Sequence, residues 1–386
     1  MENAGQSPRR IKRELKRLLQ NDHSYAGGSI MGSMCTSPHP LARKIFSRYI
    51  HKNVGDPGLF PATAELEGKT VAMLGRLLSN EAAAGFILTG GSEANIAALW
   101  TAKLLHKDKG NEVLVPESAH FSFDKAASLL ELKLNKVPLT DDFTVDAGEL
   151  EKRITPRTIA IVGIAGTTPL GVVDPIPELS RIAVKQGLYL HVDAALGGFI
   201  LPFLPALGRK APEFDFSLPG VSSITIDPHK MGMSVIPGGG IIYRSAELAA
   251  VVHVFVPYLA GGETAQATVV GTRSGASVLA AWAMLKHLGR GGYTEVVKRC
   301  MENTDYLAQG IKETDGLYLP CKPVLNVVGV ASRKLPAQAL AARLRARGWA
   351  LSLFPEHIRV VLMPHVRRSH IRRFLADCRG ALHELL

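Results

Sequence analysis

Ile226-Asp227-Pro228-His229-Lys230 closes an apolar run on a lysine, and His191-Val192-Asp193-Ala194-Ala195 places an aspartate at the end of an earlier one. A lysine preceded by histidine, with a carboxylate at the end of a buried strand, is the set of groups a pyridoxal 5'-phosphate site requires. The amine condenses with the cofactor aldehyde, while the carboxylate faces the ring nitrogen and holds its proton, so that the ring accepts electrons. Lys230 alone says little, because most lysines are solvated charges. Its apolar approach and the following Met231-Gly232-Met233 predict a desolvated amine, with a lowered pKa and nucleophilic character. Asp193 needs a partner in its buried setting; a structural hydrogen-bond network is the plain alternative to a ring nitrogen.

Outward from these motifs, short apolar strands alternate with helical stretches. Phe86-Thr89, Glu112-Val115, Lys133-Val137, Thr158-Ile164, Leu188-Asp193, Ser223-Asp227 and Gly240-Tyr243 read as strands; Glu93-His106, Phe121-Leu130, Asp146-Arg153 and Pro177-Gln186 read as helices. Strands that are apolar throughout and separated by helices predict an α/β fold with a mostly parallel, seven-stranded sheet covered on both faces. Ligands bind such sheets at the carboxyl ends of the strands. A helix at Ala276-Leu288 leads out of this unit. The strands Leu325-Val330 and Ile358-Met363, with helices Ala337-Arg347 and Arg367-Leu385, predict a small C-terminal α+β domain. The expected division is 1–65 for an N-terminal helix and loops, 66–289 for the large domain and 290–386 for the small one.

Several further residues fall at expected strand ends. In Gly90-Gly91-Ser92-Glu93-Ala94-Asn95 two glycines let the backbone approach an anion, Ser92 can cap the helix, and the helix start favours a phosphate. An ordinary capped helix carries the same signature. His229 can reach a phosphate oxygen. Ala195 offers a small surface to a flat ring, and His120, in Ser118-Ala119-His120-Phe121-Ser122, is the candidate cover for its other face. Gly166-Thr167-Thr168 places hydroxyls where a phenolic oxygen could meet them. Structural histidines are the alternative for His120 and His229.

Composition narrows the remaining classes. With 386 residues, 46% apolar and 20% charged, the chain reads as globular. No apolar run approaches about 18 residues, so no membrane span is expected. The opening Met-Glu-Asn-Ala-Gly-Gln lacks a secretory pattern, which makes a cytoplasmic protein the expectation. Cys35, Cys300, Cys321 and Cys378 have no Cys-x-x-Cys spacing, and the histidines show no ligand spacing; no metal site is expected. The net charge is +11. Its densest cluster, Arg9 to Leu19, sets Ile11, Leu15, Leu18 and Leu19 at helical spacing. It reads as an amphipathic helix docked on the body or on a partner subunit. No aromatic residues interleave the basic runs, so nucleic-acid binding is not expected.

In this order, Gly-Gly-Ser-Glu-Ala-Asn, the histidine of Ala-His-Phe-Ser, Gly-Thr-Thr, His-Val-Asp-Ala-Ala and Asp-Pro-His-Lys resemble the group II pyridoxal-phosphate decarboxylases, over roughly residues 25 to 370. Gly32-Ser33-Met34-Cys35, Gly55-Asp56-Pro57-Gly58-Leu59-Phe60 and Met363-Pro364-His365 are similar to the archaeal L-tyrosine/L-aspartate branch. The resemblance implies a type I aminotransferase-like fold and a homodimer with sites at the subunit interface. It implies that Lys230 carries the cofactor, that Asp193 pairs with the ring nitrogen, and that His120 stacks on the ring with Ala195 behind it. Gly91, Ser92 and His229 would hold the phosphate, and Thr168 would sit near the phenolic oxygen. Tyr258, in Val256-Pro257-Tyr258-Leu259, is the candidate for a loop tyrosine that protonates the product. Arg273, in Gly271-Thr272-Arg273-Ser274-Gly275, is the candidate for a carboxylate or partner-site contact. The implied reaction takes L-tyrosine to tyramine, L-aspartate to β-alanine, or both, for methanofuran and coenzyme A synthesis. The alternatives are another carbon–carbon lyase of this cofactor, of glutamate decarboxylase or sphingosine-phosphate lyase type, and an inactive basic binding protein on the same fold. Many relatives carry Asn where this chain has Asp227.

Overall fold

The structure, a computed structural model, describes residues 5–383. Met1 to Ala4, on which the expected opening segment begins, and the last residues of the expected C-terminal helix lie outside the described residues.

Seven strands form the main sheet: β1 (Ala84–Leu88), β2 (Glu112–Pro116), β3 (Lys133–Val137), β4 (Thr158–Ile164), β5 (Tyr189–Asp193), β6 (Val221–Ile226) and β7 (Gly239–Tyr243). Their order is β1-β7-β6-β5-β4-β2-β3. The strands β2 to β6 pair in parallel. Only β7 is reversed, antiparallel to both β6 and β1, so β1 points the same way as the parallel set. Alternate residues serve opposite faces. Along β4, Ile161 joins one core, while Ala160, Val162 and Ile164 join the other. Helices Gly91–Leu105 and Ser122–Leu130 cover the second face; Pro61–Leu77 and Ile176–Gln186 cover the first. Because both faces are covered, a polar side chain inside the sheet has to find its partners within the protein, and a ligand can be reached only at the strand ends.

The helix Gly275–Lys312 joins this body to the small domain and breaks at Gly289, whose φ of 55° suits glycine. Val278 and Val297 belong to the large core, Leu307 and Ile311 to a second one built around Trp349 and Phe374. After a two-stranded hairpin, β8 (Val254–Leu259) and β9 (Gly262–Gln266), the small domain contributes β10 (Leu317–Tyr318), β11 (Val327–Ser332), β12 (Ser352–Leu353) and β13 (Ile358–Val361). These form an antiparallel sheet ordered β10-β11-β13-β12. The glycine-rich N-terminal stretch lies across it: Met31 and Gly32 both donate to the Ala350 carbonyl. That contact brings Met34 and Cys35 toward the main sheet.

Two parts leave the body uncovered. The helix Pro8–Leu18 buries no residue, and Ile11, Leu15, Leu18 and Leu19 are all exposed. It therefore does not dock on its own chain, one of the two expected positions. The hairpin β8–β9 exposes Phe255 and Tyr258. Among the described residues no helix is long and apolar enough to cross a membrane.

Arg273 ties three elements together. Its guanidinium donates through Nη1 and Nη2 to Glu67, on the helix Pro61–Leu77, and to the Ile87 carbonyl of β1. Glu67 also accepts from the Ile87 amide, at 2.9 Å. Both side chains are nearly buried. Removing one partner of such a pair strands the other charge, at a cost of about 3–5 kcal/mol. Glu67→Gln should lower unfolding stability on that scale in denaturant titrations, whereas Glu65→Gln, which breaks an exposed pair with Lys69, should change it by no more than about 1 kcal/mol.

Candidate active site

Five co-directional strands end on one cavity. After β1 come Thr89, Gly90 and Gly91; the loop after β2 supplies His120; that after β4 supplies Gly166 and Thr168. Asp193 and Ala195 follow β5, and Asp227, His229 and Lys230 follow β6. The cavity is about 340 Å³, and Ser92 and Met34 complete its wall. The motifs read from the sequence thus converge on one place, since each sits just past the carboxyl end of a strand.

Lys230 Nζ lies 3.1 Å from Asp227 Oδ2. The sequence predicted a lysine with a lowered pKa; the reverse holds. Burial does push the amine down, but the carboxylates of Asp227 and Asp193 outweigh it and hold the ammonium above the ordinary lysine range. At an effective dielectric near 20, a unit charge about 3 Å away contributes about 5 kcal/mol. That is on the order of the desolvation cost of a buried lysine, and Asp193 adds to it. Burial lowers the pKa of His229 and of His120, with Asp227 and Asp193 opposing in turn.

Asp193 Oδ1 accepts from the Ala195 amide at 3.1 Å, and Oδ2 accepts from Asn95 Nδ2 at 2.8 Å. The same Asn95 amide donates to Ser122 Oγ at 2.9 Å, and Ser122 Oγ lies 3.0 Å from His120 Nδ1. Asn95 Oδ1 accepts from the Thr225 hydroxyl at 2.7 Å and meets His191 Nε2 at 3.0 Å. Tyr189 donates to Ser223 Oγ, which lies 2.8 Å from His191 Nδ1. These contacts have one consistent direction. Ser223 donates to His191 Nδ1, leaving the proton of His191 on Nε2 for Asn95; Asn95 donates onward to Asp193 and Ser122; and Ser122 donates to His120 Nδ1. One buried amide thus orients both the carboxylate and the imidazole of the cavity.

Asn95 was not singled out from the sequence. Its signal was present: a polar residue among Ala94, Ala97 and Ala98, on the buried side of a helix. A second missed residue is Arg359, in the apolar run Ile358-Arg359-Val360-Val361. It is 8% exposed and donates to the Thr168 and Gly32 carbonyls and to Ser352 Oγ. Among the described residues no carboxylate pairs with it, and burial pushes its pKa down to about 10.

Other expectations need correcting. Tyr258 lies on the exposed hairpin, 84% exposed, and does not line the cavity of its own chain. Arg273 is engaged by Glu67 and does not line the cavity of its own chain. Ser92 does not cap its helix; Gly90 occupies the cap position without a side-chain bond. Thr167 Oγ1 accepts from the Val172 amide, which leaves only Thr168 on the wall.

The family model for the pyridoxal-dependent decarboxylase conserved domain matches residues 12–331. The chain belongs to the pyridoxal-dependent decarboxylases. It is 52% identical to the L-aspartate decarboxylase of Thermococcus kodakarensis, over 97% of each chain. It is 48% identical to the probable L-tyrosine/L-aspartate decarboxylase of Methanothermobacter thermautotrophicus, over 92% of this chain and 98% of that one. Among solved structures, the sphingosine-1-phosphate lyase of Burkholderia pseudomallei superposes with a TM-score of 0.92 at 28% identity, covering 99% of this chain and 92% of that one.

The residues of the decarboxylase cavity suit pyridoxal phosphate. His229 Nδ1 is buried without a hydrogen-bond partner. It stands beside a bare turn: a Cβ on Gly90 would come within 3.1 Å of the His229 ring, and one on Gly91 within 2.9 Å of Asp227. The helix that starts there presents free amides to an anion. An amine, a carboxylate with spare acceptor capacity and a turn open to an anion therefore share one cavity.

His191 gives this network a pH signature. Burial lowers its pKa to about 4, while the unfolded chain keeps the ordinary value near 6.5. Between those values the unfolded state binds more protons, so stability falls as pH drops from about 6.5 to about 4, by roughly 3 kcal/mol. Denaturation of the decarboxylase at pH 7 and pH 4.5 should show this loss, and His191→Gln should reduce the difference between the two.

Proposed function

We propose that this decarboxylase removes the α-carboxyl group of L-aspartate, releasing carbon dioxide and β-alanine, with L-tyrosine as the second substrate. The relatives named above support that order. The observation that carries the aspartate reading is Arg359, a buried guanidinium without a carboxylate partner, placed between the segments that supply Thr168 and Met34 to the cavity wall. A dicarboxylic substrate offers the anion it lacks. Arg359 takes the part that the sequence had suggested for Arg273.

In this reading Lys230 carries the cofactor, and Asp193, oriented by Asn95, holds the proton of the ring nitrogen. Bound pyridoxal phosphate supplies the electron sink for the bond pair left by departing carbon dioxide. His120 and Ala195 confine the ring on its two faces. Gly91, Ser92 and His229 hold the phosphate, and Thr168 meets the phenolic oxygen. The apolar wall around Met34 and Ile164 keeps the departing carboxylate poorly solvated, which favours loss of its charge. After the bond breaks, a proton is delivered to Cα.

We read the assembly as a homodimer, and the setting as cytoplasmic. The exposed apolar faces of Pro8–Leu18 and of the β8–β9 hairpin support a second copy. Tyr258, outside its own cavity, would reach a site only from that copy.

Carbon dioxide release is to be measured with L-aspartate, L-tyrosine and L-glutamate in parallel. L-Aspartate should be turned over fastest; a larger kcat/KM for glutamate or tyrosine would reverse the substrate order. Lys230→Ala should lose both turnover and visible cofactor absorbance, and a variant that still releases carbon dioxide at the normal rate defeats the assignment. Arg359→Met should raise KM for aspartate at least about tenfold, the scale of one lost charged hydrogen bond.

A further inference from the structure

Asp227 is a buried charge beside Lys230 to which the reaction scheme above gives no role. It is 1% exposed. Its Oδ2 lies 3.1 Å from Lys230 Nζ and 3.6 Å from His229 Nε2, and its Oδ1 has no hydrogen-bond partner. A carboxylate in this position costs several kcal/mol unless a cation stays beside it. It also stands against Gly91, where an anionic phosphate would be repelled by an unpaired negative charge. The titratable groups that face the pair from other elements are Asp193 at the end of β5, His120 after β2 and Cys35 from the N-terminal stretch. Burial raises the thiol of Cys35 and lowers the imidazole of His120, so both are neutral near pH 7. Burial lowers the imidazole of His229 as well, with Asp227 opposing, so the Lys230 ammonium is the cation beside Asp227 in the free site, and His229 becomes one only when a phosphate anion stands beside its unpartnered Nδ1.

We propose that Asp227 is a positioning residue that holds Lys230 as an ammonium ion at the cofactor cavity and is handed to His229 when the lysine gives up a proton. The inference rests on the reading of Lys230 as the cofactor lysine. Condensation with an aldehyde uses the neutral amine. One N–H bond of Lys230 breaks, the proton passes along the shared carboxylate, and an N–H bond forms at His229 Nε2. The total charge of the three groups is unchanged, and Asp227 has a cation beside it before and after. The protonated His229 also carries N–H at Nδ1, the unpartnered atom beside Gly90, where a phosphate oxygen would accept from it.

Replacing the carboxylate by its amide makes an unusual prediction. Without its counter-ion, Lys230 is neutral at lower pH, so Asp227→Asn should take up the cofactor faster near neutrality. A residue important only for packing should instead slow uptake and leave its pH profile in place. The test follows the rise of visible absorbance when apoenzyme is mixed with pyridoxal phosphate from pH 6 to 10, with Asp227→Ser as a second variant should the amide fail to fold. The midpoint of the rate profile should fall by at least one pH unit, with several-fold faster uptake at pH 7. Coincident profiles for wild type and a folded variant would overturn the proposal. In weak buffer at pH 7, binding should release more protons from His229→Asn than from wild type, because the imidazole that retains one is gone; equal release removes His229 from the scheme. Lys230→Ala separates the two levels. A normal absorbance band in that variant refutes Lys230 as the cofactor lysine, whereas no band there, with Asp227→Asn tracking wild type, refutes only the role of Asp227.

Discussion

Two carboxylates, Asp193 and Asp227, stand at the ends of adjacent strands of a sheet covered on both faces, and their charge has to be answered from inside the protein. The rest of the site can be understood as that answer. Lys230 meets Asp227 directly. Asn95 and the Ala195 amide meet Asp193 while leaving it acceptor capacity for a protonated ring nitrogen. The amine is held as an ion although it is buried, because two negative charges outweigh the loss of water.

The sheet makes this arrangement possible. Its helices bury both faces, so the carboxyl edge is the one place where groups from five strands can meet around a ligand. Met34 of the N-terminal stretch lies against the cavity, and Arg359 of the small domain ties that stretch to the loop after β4 through Gly32, Ser352 and Thr168. Among the described residues no acid stands beside that guanidinium, which sits behind the cavity between Gly32 and Thr168. The hydrogen-bond chain from Tyr189 to His120 fixes side-chain directions before any ligand arrives, which is the purpose of support behind a reactive centre.

Much of this was legible in the chain. The central strand β4 is a nearly unbroken apolar run, as a sheet buried on both faces favours, whereas β3 at the edge reads Lys-Leu-Asn-Lys-Val and β5 and β6 carry the buried His191, Ser223 and Thr225. That the motif residues gather at one cavity was legible because each sits just past the carboxyl end of a strand. What escaped reading depends on contacts between distant segments. Tyr258 and Arg273 lie in one stretch of similar character, yet one stands on an exposed hairpin and the other pairs with Glu67, more than two hundred positions earlier. Asn95 and Arg359 looked like isolated polar residues in apolar elements, and only their partners reveal their use. The sequence put burial first for the lysine pKa; only the positions of Asp227 in the same turn and of Asp193 from β5 show that the carboxylates outweigh it.

By itself, the order of residues determined the layer architecture, the strand ends and the chemical groups placed there, because periodicity and turn chemistry are local properties. Only the tertiary structure decided which charges meet: that Asp227 holds Lys230, that Asn95 links Asp193 to His120, and that Arg273 is paired with Glu67 while Arg359 has no acid beside it among the described residues. Pairing energies in a buried site depend on separations of a few ångströms, and those are set by how the sheet, the small domain and the N-terminal stretch pack together.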